Sequence, residues 1–222
     1  MGDLFHKSVP DAWIDRIFGV MGICKQHKFQ VLTKRSKRMQ QYMTSAGLKK
    51  RLALAELGII QDAQRHGCFR SGRLSTAAGK LILQHLECTK PFALPLPNVW
   101  LGVSVEDQAS ADERIPDLLN TPAAVRFVSA EPLLGPIQVP EYMRNPLWDN
   151  IPSWQEPNID WIIAGGESGP GFRPMQIEWA ESTHQQCEVA GTAFFFKQDS
   201  GAKSGQRGRA SDALWACKEF PK

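Results

Sequence analysis

The sequence predicts an α/β protein built on a mainly parallel sheet, and three observations lead there. Short apolar runs rich in β-branched and aromatic residues alternate with longer segments of helical periodicity. Almost every such run ends in charged or glycine-rich residues, as strands do when their C-termini share one side of a parallel sheet. The composition, 42% hydrophobic and 22% charged over 222 residues, is enough to bury one full core. One domain spanning 1–222 is therefore expected.

Taken in order, residues 9 to 27 read as a helix: Pro10 suits a first-turn position, and Trp13, Ile14, Ile17, Phe18 and Met21 recur at helical spacing as a core-facing stripe. Phe29 to Thr33 is a short strand, followed by Lys34 and Arg35 and a helix through Met43, on which Lys37 and Arg38 are read as solvated. Residues 46–97 read as a helical insertion closed by a proline-rich linker at Pro91, Pro95 and Pro97. Helical periodicity there covers Leu48 to Ile60 and Ser75 to Glu87, with an arginine-bearing loop, Arg65 to Arg73, between them. Val99 to Val105 is a strand ending at Glu106, and a helix from Ala109 to Leu119 carries Arg114 as a candidate intrahelical partner for an acid. Val125 to Ser129 is a strand that leads into Glu131, and 137 to 158 is an irregular excursion. Trp161 to Ala164 is a strand, Ile177 to Ala190 a helix with Gly191 as its C-cap, and Thr192 to Phe196 a strand ending at Lys197 and Gln198. The glycine- and lysine-rich stretch Ser200 to Arg209 reads as mobile, with Leu214, Trp215, Phe220 and Pro221 docking back.

The chemistry-bearing residues gather at strand ends. Lys34 and Arg35, Glu106, Glu131, Glu167 and Lys197 each follow a strand, so a parallel sheet brings them to one mouth around one cavity. The stretch Ile159 to Pro174 adds Gly165 and Gly166, where the chain turns or a ligand approaches, together with Glu167, Ser168 and Arg173 as an acceptor, a hydroxyl and a planar cation. A tight strand-to-helix turn capped by Ser168 explains the same residues equally well. The candidate ligand-binding set is thus Lys34, Arg35, Glu106, Glu131, Gly165, Gly166, Glu167, Ser168, Arg173 and Lys197. A general acid/base pair, an anion clamp and a static ring of ion pairs all remain open readings of it.

Other classes find little support. A formal charge of +3 and a pI near 8.6 fall short of a dedicated nucleic-acid binder. No segment approaches a bilayer span, the first residues lack a signal pattern, and His6 stands where a myristoylation site wants a hydroxyl, so a cytoplasmic location is expected. Cys24, Cys68, Cys88, Cys187 and Cys217 are scattered singly and are expected not to cluster. Neither a Walker loop nor HExxH is present, and Pro170 breaks the GxSxG match around Ser168.

Six motifs carry a resemblance: Met1 to His6, Val31 to Arg35, Asn98 to Glu106, Val125 to Pro136, Ile159 to Met175 and Phe194 to Gln198. Together they resemble a family of phage-associated proteins of unknown function whose members look like radical SAM enzymes. The resemblance implies a partial (β/α) barrel holding a [4Fe–4S] cluster and S-adenosylmethionine at its strand C-termini, with three cysteines after the first strand as cluster ligands. No such cysteine spacing is present here, so the expectation is an incomplete barrel lacking its N-terminal strands, truncated, holding no cofactor as given, and without catalysis of its own. One rival is a binding module that takes an anionic or nucleotide-like ligand through Lys34, Arg35, Arg173 and Lys197. The other is a nucleic-acid-associated protein using Arg65, Arg70, Arg73, Arg207 and Arg209. The apolar strand Phe29 to Thr33 would then stand at an open edge, relieved by a stub strand from Gly2 to His6, by the insertion, or by pairing of two chains, which makes a homo-oligomer the expected state.

Overall fold

The structure, a computed structural model, describes residues 2–65, 94–139 and 158–221. In chain order these residues form α1 (Asp11–Ile23), β1 (Phe29–Thr33), α2 (Ser36–Met43), α3 (Leu48–Arg65), β2 (Val99–Ser104), α4 (Gln108–Leu119), β3 (Arg126–Ala130), β4 (Trp161–Gly165), α5 (Ile177–Ala190), β5 (Ala193–Gln198) and α6 (Asp212–Ala216). All four strand pairings are parallel, and the strand order β1-β2-β3-β4-β5 repeats the chain order. The result is an α/β fold on an open five-stranded sheet, the wall of an incomplete barrel. The expected Arg65 to Arg73 loop, the Ser75 to Glu87 helix and most of the excursion from 137 to 158 lie outside the described residues, as do Cys68 and Cys88.

Side chains alternate between the two faces of the sheet. One face carries Val31, Leu101, Val103, Val128, Ile162 and Phe194, all under 8% exposed, into a core shared with Ile14, Phe18, Met39 and Ile115 from the helices. Burying each such side chain contributes roughly 1.5–3 kcal/mol. The other face carries a separate aromatic layer of Trp100, Phe127 and Trp161, with Phe195 packed against it. Gly102 belongs to this layer for a steric reason: a Cβ there would stand 2.5 Å from the Phe127 ring.

Local signals set the helix ends. Asp107 and Ser110 form a capping box at the start of α4, and Gly191, with φ of 67°, ends α5 in the left-handed conformation that favours glycine. The start of α3 sends Leu48 and Leu52 into the main core.

Two expectations are corrected. On α1, Ile14 and Phe18 are buried, but Trp13 is 64% exposed and Ile17 39%. The helix turns its other side inward because Asp15 accepts hydrogen bonds from the Tyr42 hydroxyl (2.7 Å) and Arg51 Nε (3.2 Å), and because Gly19 lets α3 approach so closely that a Cβ would lie 3.0 Å from Ile59. The second correction concerns Ser200 to Arg209, which is folded around the buried Asp199. Arg209 donates to Asp199 through Nε (2.9 Å) and Nη2 (2.8 Å), while Gly205 N donates to Gln198 Oε1 (2.7 Å). Glycines there serve tight turns: a Cβ on Gly208, at φ of 57°, would collide with the Asp199 carboxylate.

The two edges of the sheet differ. At β5 the segment after α6 adds an antiparallel bridge, Phe195 to Lys218, with Phe196 N donating to Cys217 O (2.9 Å) and Glu219 N to Phe194 O (3.0 Å). At β1 the described residues offer no second partner, and Gln30 and Leu32 are exposed. Gly2 to His6 form no stub strand. Asp3 instead ties that segment across the end of β1, accepting from Thr33 Oγ1 (2.7 Å) and Lys34 N (3.2 Å), while Phe5 is fully buried beside Tyr42. No described helix is long and apolar enough to cross a membrane.

Candidate functional site

The rim of the sheet is built by alternation. Above the aromatic layer, the same face continues with Ser104 on β2, Ser129 on β3, Ile163 and Gly165 on β4, and Phe195 and Lys197 on β5, and beyond the strand ends with Lys34 after β1, Glu106 after β2 and Glu131 after β3. Ser104 and Ser129 are register partners. Each is 5% exposed, and neither hydroxyl has a hydrogen-bond partner among the described residues.

Over the serines lies an ionic layer. Glu106 pairs with Lys34 through Oε1 and with Arg114 through Oε2 (2.8 Å). Arg114 therefore reaches off its helix, also donating to Ser104 O (2.8 Å), while its intrahelical neighbour Glu113 stays 3.7 Å away. Burial alone would raise the Glu106 pKa, but the two cations outweigh it and hold the carboxyl below its ordinary value. Glu131 pairs with Lys197 at 2.9 Å. These two stand on either side of β4 and meet across Gly165, where a Cβ would lie 3.3 Å from Lys197 Cβ. Arg35, the residue before α2, is exposed at the same end, its backbone N donating to Thr33 Oγ1 (2.9 Å).

The glycine-rich loop is welded to the segment after β5. Gly166 N donates to Gln198 O (2.9 Å), Gln198 Nε2 donates to Gly166 O (2.9 Å), and Ser168 bridges Gly201 as if the two strands continued. A Cβ on Gly166 would fall on the backbone of Ser200, so this glycine serves the close approach of protein to protein. Ser168 caps no helix, because α5 starts after Gln176 without a side-chain cap. Arg173 closes the loop with Nε and Nη2 on the two Glu167 oxygens, each at 2.8 Å, and lowers the Glu167 pKa to about 2.

The sheet thus brings Lys34, Arg35, Glu106, Glu131, Gly165 and Lys197 to one end, as the strand pattern predicts, and the loop adds Glu167 and Arg173 as a pair of their own. Ser104 and Ser129 went unnoticed because each reads as the polar close of an apolar run. Their parity was the available signal: both share a face with Trp100 and Phe127. A cavity of about 810 Å³ opens elsewhere, at the N-terminal ends of β3, β4 and β5, and none of the ten expected residues lines it.

Over residues 1–216 the sequence matches the family described as Protein of unknown function (DUF5131). The chain belongs to this family. No curated protein and no solved structure matches the chain. The family's description names neither radical SAM chemistry nor a phage, so both rest on the resemblance of the six motifs.

For this family member the fit to an iron–sulfur cluster is tested by its thiols. Among the described residues, Cys24 follows α1 at the N-terminal side of β1, Cys187 is buried on α5, and Cys217 follows α6. Burial pushes the Cys187 thiol up to about 12, which disfavours the thiolate a metal needs. No three His, Cys, Asp or Glu side chains among the described residues gather as a metal site. These residues do not fit the cluster, and no chemistry is assigned through it.

Proposed function

We propose that the C-terminal mouth of the sheet binds a small anionic, hydroxyl-bearing molecule of the nucleotide kind and holds it without transforming it. The single observation that carries this reading is the register pair Ser104 and Ser129: two serines each 5% exposed, whose hydroxyls make no hydrogen bond among the described residues, beside the ion pairs of the rim. Neither hydroxyl is among the side-chain atoms sealed from solvent, so a ligand entering the mouth reaches both and can bond to them through its own hydroxyls or ring nitrogens. Lys34, Lys197 and Arg35 stand above them at the rim, about half or more exposed, and suit a phosphate or carboxylate. The resemblance to phage-associated radical SAM-like proteins supports S-adenosylmethionine as a second candidate, which offers ribose hydroxyls and a carboxylate although its net charge is positive.

The nucleic-acid rival gains nothing. Arg207 and Arg209 are engaged with Asp212 (2.5 Å) and Asp199 (2.8 Å), and Arg70 and Arg73 lie outside the described residues. Self-association belongs to the proposal, with the open edge of β1 as its support; light scattering behind a sizing column is expected to show a dimer at tens of micromolar, a range that exposes association-prone surfaces.

Calorimetry tests the binding. Titration with adenosine monophosphate and, separately, S-adenosylmethionine is expected to give heat with at least one, and the double variant Ser104→Ala, Ser129→Ala is expected to weaken it about tenfold, the worth of one to two hydrogen bonds. No heat with either at millimolar concentration, or equal affinity in the folded double variant, would overturn the proposal.

A further inference from the structure

The cavity at the opposite end of the sheet has a chemistry of its own. It is walled by Val125 before β3, Ile159 and Asp160 before β4, Thr192 to Phe194 at the start of β5, His184, Cys187 and Glu188 of α5, and Glu219 to Pro221. At about 810 Å³ it lies within the range of small-molecule sites.

Its charge is one-sided. Asp160, Glu188 and Glu219 line it, and among the described residues no lysine or arginine does. Asp160 is engaged, accepting from Arg126 N at 2.7 Å. Glu188 has only His184 near it, Nε2 to Oε1 at 3.7 Å, and Glu219 spends one oxygen on Phe194 N at 3.0 Å. The neighbouring Lys218 turns away, its ammonium over the Trp215 ring at 4.0 Å and bonded to Phe196 O. The field is felt by the thiols: besides burial, Glu219 and Glu188 push both Cys187 and Cys217 upward.

A bare metal ion does not match these walls, because no three donor side chains among the described residues converge. The rest of the lining is mixed, His184 and Thr192 standing beside Val125, Ala193, Phe220 and Pro221. Phe194 is buried against His184, 4.9 Å between centroids, and Phe220, 56% exposed and packed on Trp161 at 5.2 Å, is the aromatic ring with surface left for a diffuse positive charge.

We propose that this cavity binds a small organic cation, a primary amine or guanidinium carried on a hydrocarbon body, with Glu188 and Glu219 facing the charge and Val125, Phe220 and Pro221 facing the hydrocarbon. The site is separate from the mouth: it opens at the other end of the same strands and shares none of its residues.

Three probes of one shape separate charge from hydrophobicity: 4-phenylbutylamine, 4-phenylbutanol and 4-phenylbutyrate, each titrated calorimetrically into the whole chain. The amine is expected to bind more tightly than the alcohol, and the carboxylate least. Glu188→Gln is expected to weaken the amine about fivefold, the scale of one partly screened charge, and to leave the alcohol unchanged. Ala124→Phe, which fills the cavity, is expected to abolish amine binding, whereas Ser129→Ala at the mouth should not alter it. Equal affinity for all three probes, no amine binding by a protein whose thermal unfolding is cooperative, or an unaltered amine affinity in Glu188→Gln would overturn the proposal.

Discussion

The two ends of one sheet answer to charge in opposite ways. At the C-terminal end each of Glu106, Glu131 and Glu167 has a cation on it, and the atoms left without a hydrogen bond include Arg114 Nε and, nearer the solvent, the Ser104 and Ser129 hydroxyls. At the N-terminal end Glu188 and Glu219 stand without lysine or arginine among the described residues, in a pocket of mixed lining. Density of charge in the sequence therefore marks the first end, and unsatisfied charge in space marks the second. A ligand at the mouth must reorganise existing ion pairs, whereas a cation in the cavity meets carboxylates with nothing to displace.

Substitutions that act on one end alone sharpen the contrast. The largest effect is expected from Gly166→Ala, whose new methyl group meets the backbone of Ser200 where no flexible side chain can yield. A loss of about 3 kcal/mol, the upper range for overpacking, is expected in chemical denaturation, and a loss below 1 kcal/mol would mean that the welded loop gives way easily.

Next come the pH limits, which should fall on opposite sides. Burial would raise the Asp199 pKa, but Arg209 and two backbone N–H groups hold it low, and Glu106 is held low by Lys34 and Arg114. The stability these carboxylates contribute is present above their unfolded pKa near 4 and is lost as pH falls through the folded value. Asp199→Asn should flatten that acid limb. Cys187 behaves conversely, since its thiol is pushed up by burial to about 12. Its contribution is complete below the unfolded thiol value, ~8.5, and erodes as pH rises, by about 2 kcal/mol at pH 10. Denaturation of Cys187→Ala should show less of this erosion between pH 8 and 10, the remainder coming from Cys217, whose thiol is also pushed up; an undiminished alkaline loss would place its origin elsewhere.

Smaller still is Gly191→Ala at the cavity end. Nothing crowds a Cβ there, so only the positive φ opposes it, at a cost of about 1 kcal/mol. Least of all is Lys37→Ala, which removes an exposed partner 3.6 Å from Asp117 and should shift stability by under ~0.5 kcal/mol. A larger shift would show that charges beyond the rim belong to the same network.

Much of the fold was legible because strand ends are chemically abrupt. Phe29 to Thr33 is bounded by Lys28 and Lys34 and has the predicted limits, and Gly191 ends its helix where glycine should. Helix rotation was not legible. Trp13 and Ile17 share a periodic stripe with Ile14 and Phe18, and only the third partners of Asp15 and Gly19 decide which side turns inward. Order in Ser200 to Arg209 was hidden because glycine reads as freedom unless the carboxylate it folds around is known. The cavity was invisible for a simpler reason: its walls come from stretches near 125, 160, 184 to 194 and 220, none of which carries a pattern alone.

Strand order that repeats chain order has a consequence for assembly. A chain threading out in sequence lays each strand on the edge left by the one before, so the sheet lengthens at a single advancing border while β1 stays the stationary one. Every partial sheet from two strands to five then exposes a fresh row of amide and carbonyl groups to whatever arrives next. The antiparallel return of Cys217 to Glu219 ends this progression: a sixth parallel strand finds its place taken, and growth stops at β5.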